Sequence, residues 1–310
     1  VTKFNTEHLA MVAVAMSGLA WGLFWIPLRA LDDHGISGVW AIVLFYLLPT
    51  LLLMPVILLR TQHLLQGGWS LHIAGIFAGV ALVLYAGSLV FTDIVRALLF
   101  YYLTPLWSTL LARIVIGEAI TRARWGTIGL ALIGLLLILR IDAGSGGALR
   151  PGDWMGLASG LVWAIAAVWM KSDTNGNSLD FALSYFIWGS VAALALTLLP
   201  HGGSTPPPDW QAIRAVLPWI VPVILLLVIP PALAVMWGAT VLSPGVLAIL
   251  FMTEISAGTL TAAYWANEPF GIREIAGVAL ITSAGIFEPA LKACRSKVLK
   301  SRLIKTAQVP

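Results

Sequence analysis

Apolar runs follow one another along the whole chain, each ended by charges, glycine or proline. They predict membrane-spanning helices near 9–28, 39–59, 70–89, 93–115, 123–141, 153–171, 179–199, 213–237, 243–265 and 271–291. Each is close to the roughly 20 residues that cross a bilayer. The polar breaks fall at Asp32-Asp33-His34, from Arg60 to Gly68, at Arg122-Ala123-Arg124, from Ala143 to Gly147, from Lys171 to Asn177 and from His201 to Asp209. Pro206-Pro207-Pro208 reads as a stiff, solvated connector. Two pairs of spans nearly touch, at 90–93 and at 238–243.

Composition turns this pattern into a class. Of 310 residues, 59% are hydrophobic and 10% charged, and the mean hydropathy is +0.93. A soluble domain carries about 25% charged residues, and helices apolar on every face need lipid or other helices around them. Ten spans with short loops need roughly 31 residues each, which leaves no room for a soluble catalytic domain. The first apolar stretch lacks a basic leader and is followed at once by another span, so it reads as a membrane helix, not a cleaved signal. The single cysteine, Cys294, excludes an intrachain disulfide.

Charge sets the expected orientation. The segment 292–310 carries Lys292, Arg295, Lys297, Lys300, Arg302 and Lys305, offset only by Glu288 before it. The positive-inside rule places this basic tail in the cytoplasm, and an even number of spans puts the N-terminus there too. The other loops do not discriminate between the faces, since Arg29, Arg140, Arg150, Arg214 and Arg273 fall on the side assigned outside. With the basic excess confined to one tail, no nucleic-acid partner is expected.

Self-comparison reveals an internal repeat. Gly18, Leu19, Trp21 and Arg29 match Gly160, Leu161, Trp163 and Lys171 at one constant offset. Later, the I-G-E that ends at Glu118 matches the A-N-E that ends at Glu268. The expected architecture is therefore all-α and integral to the membrane, with ten helices in two five-helix repeats at 1–141 and 153–291. An odd number of spans per repeat forces the halves into opposite orientations around a central cavity, the inverted symmetry of secondary transporters.

The Trp21-Gly22 pair and the stretch from Arg96 to Thr121, with its L-x-P-L and G-E-x-x-T elements, resemble the drug/metabolite transporter superfamily, specifically its EamA-type ten-helix members. Thr253-Glu254-Ile255 stands where many members have Glu-Pro, so that proline is missing. The run F-Y-Y-L-T-P-L-W is most similar to the bacterial aromatic amino-acid exporter branch. The resemblance covers the whole chain. It implies a secondary transporter in the bacterial inner membrane that exports amino acids, aromatic ones included, by alternating access. It also leaves open a drug or nucleotide-sugar carrier of the same superfamily. A nucleotide cargo would demand cationic groups in the cavity, and no lysine or arginine lies securely at mid-span. A passive channel is the alternative outside the superfamily.

Candidate chemistry is sparse. No phosphate-cradling G-x-x-x-x-G-K-S/T, no H-E-x-x-H and no Cys/His cluster occurs, so neither an enzyme, a cofactor nor a metal site is expected. In the fourth span Ala97, Tyr101, Thr104 and Ser108 share one helical stripe, which the repeat maps onto Leu247, Phe251, Glu254 and Gly258. Polar groups at that depth face protein or a water-filled cavity, so the two faces read either as opposing cavity walls or as hydrogen-bonded helix packing. Glu254, mid-span with no charged neighbour in sequence, is a functional candidate by default. It would bind a substrate ammonium group or carry a coupling proton, unless it is a protonated structural residue. Asp93 and Arg96 would pair near a helix start, and Glu118 and Glu268 would serve as caps.

Trp21, Tyr85 and Trp163 complete the expected substrate-binding set of Tyr101, Thr104, Ser108, Phe251 and Glu254. Trp21 and Trp25 would share a face of the first span, while Trp40, Trp69 and Trp219 are expected at the lipid interface. Pro105, Pro230 and Pro231 are candidate hinges, and Gly75, Gly79 and Gly87 candidate bends. Gly126, Gly129, Gly134, Gly277 and Gly285 suggest close helix packing. Apart from cargo and lipid, the expected partners are a coupling proton and, in a dimer, a second copy of the chain.

Overall fold

The computed structural model describes residues 3–36, 38–92, 94–138, 149–173, 175–198, 206–265 and 271–284. Asp93, Glu268, Gly285, Cys294 and the basic tail lie outside them, as does the Arg96 side chain. Among the described residues every regular element is a helix. The first half holds α1 (Lys3–Trp21), α2 (Trp25–Asp33), α3 (Val39–Leu52), α4 (Met54–Leu59), α5 (Thr61–Gln66), α6 (Gly68–Phe91), α7 (Ile94–Tyr101), α8 (Thr104–Val115) and α9 (Arg122–Ile138). The second holds α10 (Pro151–Ser172), α11 (Ser178–Leu196), α12 (Trp210–Val223), α13 (Ile229–Val241), α14 (Pro244–Phe251) and α15 (Thr253–Trp265), followed by α16 (272–284). Among the described residues, six stretches are long and apolar enough to cross a membrane: Thr6–Asp33, Gly68–Ser88, Pro151–Ser172, Ser178–Leu196, Trp210–Val241 and Pro244–Trp265.

Several expected spans are two helices in line. The first is interrupted by a turn at 22–24; Trp21 before it meets Phe251, and Trp25 after it donates to Thr261 at 3.0 Å. Tyr102 and Leu103 separate α7 from α8, and Met252 separates α14 from α15. These breaks coincide under the offset of 150 that relates Glu118 to Glu268. Pro105 sits in the first turn of α8, where a missing N–H costs nothing. Pro230 and Pro231 open α13 just after a π-helical stretch, Ile224–Val228, that joins it to α12. Proline removes the donors that a regular α-helix needs there.

The glycines of the third span do not bend it, since α6 runs unbroken. They admit neighbouring backbone instead: a Cβ on Gly79 would lie 2.6 Å from the Gly189 nitrogen on α11, and one on Gly75 would collide with Ser184. The fifth span also departs from expectation. Nothing lies within 4 Å of a Cβ placed on Gly126 or Gly129, whereas Gly134 meets the Gly277 carbonyl at 2.7 Å.

Contacts between helix ends fix the directions of the chain. At one end Thr92, just past α6, donates to Asp153 at the start of α10 at 2.8 Å. At the other, Ser70 at the start of α6 donates to Asp173 just past α10 at 2.6 Å, and Arg124 at the start of α9 reaches Ser243 just before α14 at 3.2 Å. Thus α8 descends toward the second end and α14 rises from it, so the matching fourth spans of the two repeats run antiparallel. The first helices are exchanged between halves. In α1, Gly18 and Gly22 sit against Thr253, Ala257 and Gly258, while in α10, Gly156 and Gly160 sit against Ala97, Tyr101 and Thr104. Small residues let the backbones approach this closely where no hydrophobic effect drives association.

Candidate functional site

A cavity of about 540 Å³ lies between the halves. It opens beside Arg29, Asp32 and Gly38, at the end of the bundle where α2 stops and α3 begins. Trp21, Phe24, Phe45, Leu82 and Val228 give it mostly apolar walls. In its depth stand Tyr46, Tyr85, Tyr101, Tyr185, Phe251 and Glu254. The volume lies in the range of sites for small organic ligands.

The helix break at Met252 positions Glu254, which becomes part of the first turn of α15, where the positive end of a helix dipole favours a carboxylate. Tyr102 donates to Glu254 Oε2 at 2.6 Å, and Tyr85 lines the same cavity. Tyr85 stacks on Tyr101 with centroids 4.1 Å apart, and Tyr101 meets Tyr102 edge-on at 4.9 Å. From the other side, the Tyr185 hydroxyl lies 3.4 Å from that of Tyr46, with the rings at 5.7 Å. Trp21 meets Phe251 edge-on at 5.0 Å, and Phe24 lies 4.2 Å from Phe45. The chain has six tyrosines, and all but Tyr264 belong to this assembly. An acid held by a phenol among aromatic faces suits a cation or a proton on its open side, with rings or aliphatic groups beside it.

Of the residues expected from sequence, Trp21, Tyr85, Tyr101, Phe251 and Glu254 reach the cavity wall. Thr104, Ser108 and Trp163 do not. Thr104 donates to the Tyr101 carbonyl and touches the space over Gly160. Its stripe of Ala97, Tyr101 and Thr104 is the seam against α10, so here helix packing outweighs cavity lining. Trp163 is buried within the helix core. Sequence reasoning passed over Tyr46, Tyr102, Tyr185, Phe24 and Phe45. The three tyrosines among them lie inside apolar runs, away from the span ends where interfacial tyrosines belong, a position that does not separate cavity from core.

Opposite the mouth, the halves are tied together. Arg60 forms a two-pronged ion pair with Asp180 at 2.6 and 2.9 Å. Ser70, held by Asp173, accepts from Trp169 Nε1 at 3.0 Å. Within the second half, Lys171 at the end of α10 donates to the carbonyls of Thr240 at 3.2 Å and Val241 at 2.5 Å. Within the first half Glu118, expected in a structural cap or helix-dipole role, lies just before α9 and 3.6 Å from Arg124 in that helix's first turn.

Comparison with known proteins agrees with this architecture. The model of the EamA-like transporter family matches residues 8–140 and again 150–287. Biotin transporters of Salmonella typhimurium and Salmonella typhi are each 26% identical over 262 residues, covering 80% of this chain and 83% of theirs. One solved crystal structure, 17% identical, superposes with a TM-score of 0.68 over 92% of this chain and 97% of its own.

Proposed function

The chain belongs to the EamA-like transporter family, and from that premise we propose that it exports amino acids, aromatic ones included, across the bacterial inner membrane by alternating access. The observation that carries this reading is the Glu254 carboxylate set among tyrosines at the bottom of an aromatic cavity. An amino acid offers an ammonium group to the acid and a side chain to the rings. Arg29 and Asp32 at the mouth complement the two charges of a zwitterion on its way through.

In this reading the repeats span 1–141 and 153–291, both termini are cytoplasmic, and the mouth faces outward. Glu254 either binds the ammonium group directly or exchanges a proton against it. Pro105, Pro230 and Pro231, at the helix interruptions, are the places where the backbone bends between states. The structure belongs to the outward-open state, and the ties at the opposite end form its inner closure.

A second reading is transport of a ring-bearing carboxylic acid such as biotin. The similarity to biotin transporters favours it, as does the guanidinium of Arg29 at the mouth. Uptake of labelled phenylalanine, tryptophan, threonine and biotin into proteoliposomes separates the two. Saturable amino-acid flux with no biotin flux supports the first reading. Biotin flux alone replaces it with the second, and no flux of any of them above empty liposomes removes both.

A further inference from the structure

Three polar side-chain atoms in consecutive residues of α8 are buried with no hydrogen-bond partner among the described residues: Trp107 Nε1, Ser108 Oγ and Thr109 Oγ1. Buried polar groups are nearly always satisfied, and each exception needs a reason. The rest of the cavity-side chemistry obeys the rule, Thr104 and Thr253 each bonding to carbonyls. The exceptions therefore cluster in one turn of one helix. That turn lies between the cavity floor at Tyr101 and the closed end, which α8 reaches at Val115.

The surroundings are chemically specific. Ser108 lies one turn past Thr104 and is fully buried. Thr109 faces α14, where a Cβ on Gly245 would strike both its hydroxyl and the Arg124 guanidinium. The Arg124 side chain is itself buried, 7% exposed, beside Ser243 and Glu118. The Thr109 hydroxyl and the Arg124 guanidinium thus share the seam of α8 with α14, and the buried Ser108 hydroxyl stands on the adjacent face of the same turn. A carboxylate fits such a set, because hydroxyl and guanidinium donors both satisfy its oxygens. Opening the closed end requires this seam to part. Its orphan hydroxyls would then find their partner.

We propose that Ser108 and Thr109, with Arg124, form a second binding station, for the carboxylate of the cargo, that becomes accessible when the transporter opens toward the end now closed. This rests on alternating access but on neither choice of cargo, since amino acids and biotin both carry a carboxylate. Under the offset of 150 Ser108 and Thr109 map onto Gly258 and Thr259, one turn past Glu254, so the station lies one turn beyond the level of the acid on the side of the closed end. A cargo would exchange an acid-lined pocket near one face for a donor-lined one near the other.

The test uses the full chain in liposomes, with Ser108→Cys or Thr109→Cys placed on Cys294→Ser, which removes the only native thiol. A water-soluble methanethiosulfonate should modify both slowly, and at least about fivefold faster once Asp180→Asn releases the closed end, a coupling of ordinary size. A Gln211→Cys control, exposed at the start of α12 away from the closed end, should react readily and show no such acceleration. Separately, Ser108→Ala and Thr109→Val should raise the half-saturation constant for labelled phenylalanine, or for biotin if that is the cargo, about tenfold at the face of the closed end. The value at the mouth face should not change. A purely structural role would weaken both faces alike, and that result overturns the proposal, as do modification rates indifferent to Asp180→Asn. State-dependent modification without binding or transport of any carboxylate probe shows a seam that opens but holds no cargo, and overturns the station. Transport without any side-specific change overturns the station alone.

Discussion

Glu254 shows how much one residue's meaning depends on its partners. Its carboxylate takes the Tyr102 hydroxyl at 2.6 Å and still borders the cavity. If it holds the ammonium group of a cargo, Glu254→Gln keeps an acceptor for Tyr102 and loses the charge. Phenylalanine affinity should then fall about tenfold or more, the worth of a hydrogen bond to a charged partner, while flux of a cargo without an amine stays as it was. Measured with and without a pH gradient, the same variant tests proton coupling, and an unchanged response to the gradient removes Glu254 from that role. Tyr102→Phe deletes the other half of the contact. We expect it to cost about 1–3 kcal/mol of stability in detergent, and to cost far less once Glu254 is already Gln, a coupling that a double-mutant cycle measures. Equal costs in both backgrounds would show that the two side chains do not share their energy. The acid was legible in the sequence because a mid-span carboxylate is rare. Its phenolic partner was not, because a tyrosine inside an apolar run looks the same whether it faces lipid, core or cavity.

Among the elements, the interruptions matter more than the helices. Apolar length is a strong signal, and six of the expected spans stand among the described residues as stretches long enough to cross a membrane; the pairs that nearly touch do part where expected, between Phe91 and Ile94 and between Val241 and Pro244. What periodicity cannot show is a change of phase inside a run. The stripe of Ala97, Tyr101, Thr104 and Ser108 assumed one continuous helix, yet the chain breaks at Tyr102 and Leu103, and only Tyr101 reaches the cavity. Glycine was ambiguous for a related reason: a missing side chain marks a bend, a close crossing or nothing, and only the neighbour decides. Gly79 and Gly126 make the contrast testable. Gly79→Leu forces a side chain into the Gly189 backbone of α11, so monodisperse protein should be largely lost. Gly126→Ala meets open space and should gain up to about 1 kcal/mol from helix propensity. Thermal unfolding of both variants reads the difference. Comparable losses at the two sites would mean that the α6–α11 crossing is not as tight as it stands here.

For the whole molecule, the repeat implies two equivalent closures, one at each end, of which only one is shut. The shut end carries the two-pronged Arg60–Asp180 pair, which joins the end of α4 to the first turn of α11 and so bridges the halves. Ser70 and Trp169 reinforce it through Asp173. At the mouth the Thr92–Asp153 bond joins α6 to α10 without shutting the cavity, because α2 and α3 stand apart from it there. An ion pair is a reversible tie: it holds one state by attraction and is released into water in the other, where each charge is solvated. Asp180→Asn should therefore favour opening of the closed end and slow the return step of the cycle, lowering net transport, while equilibrium exchange of labelled cargo is less affected. Arg60→Asp alone sets two acids face to face and should impair closure further. Combined with Asp180→Arg it restores opposite charges in the reversed order, and flux should recover substantially. Recovery would assign the loss to the missing attraction between the halves. Failure of the swap to recover any flux, with both proteins folded and monodisperse, would instead assign it to the local shape of Arg60 and Asp180, and the closed end would then be held by helix packing alone.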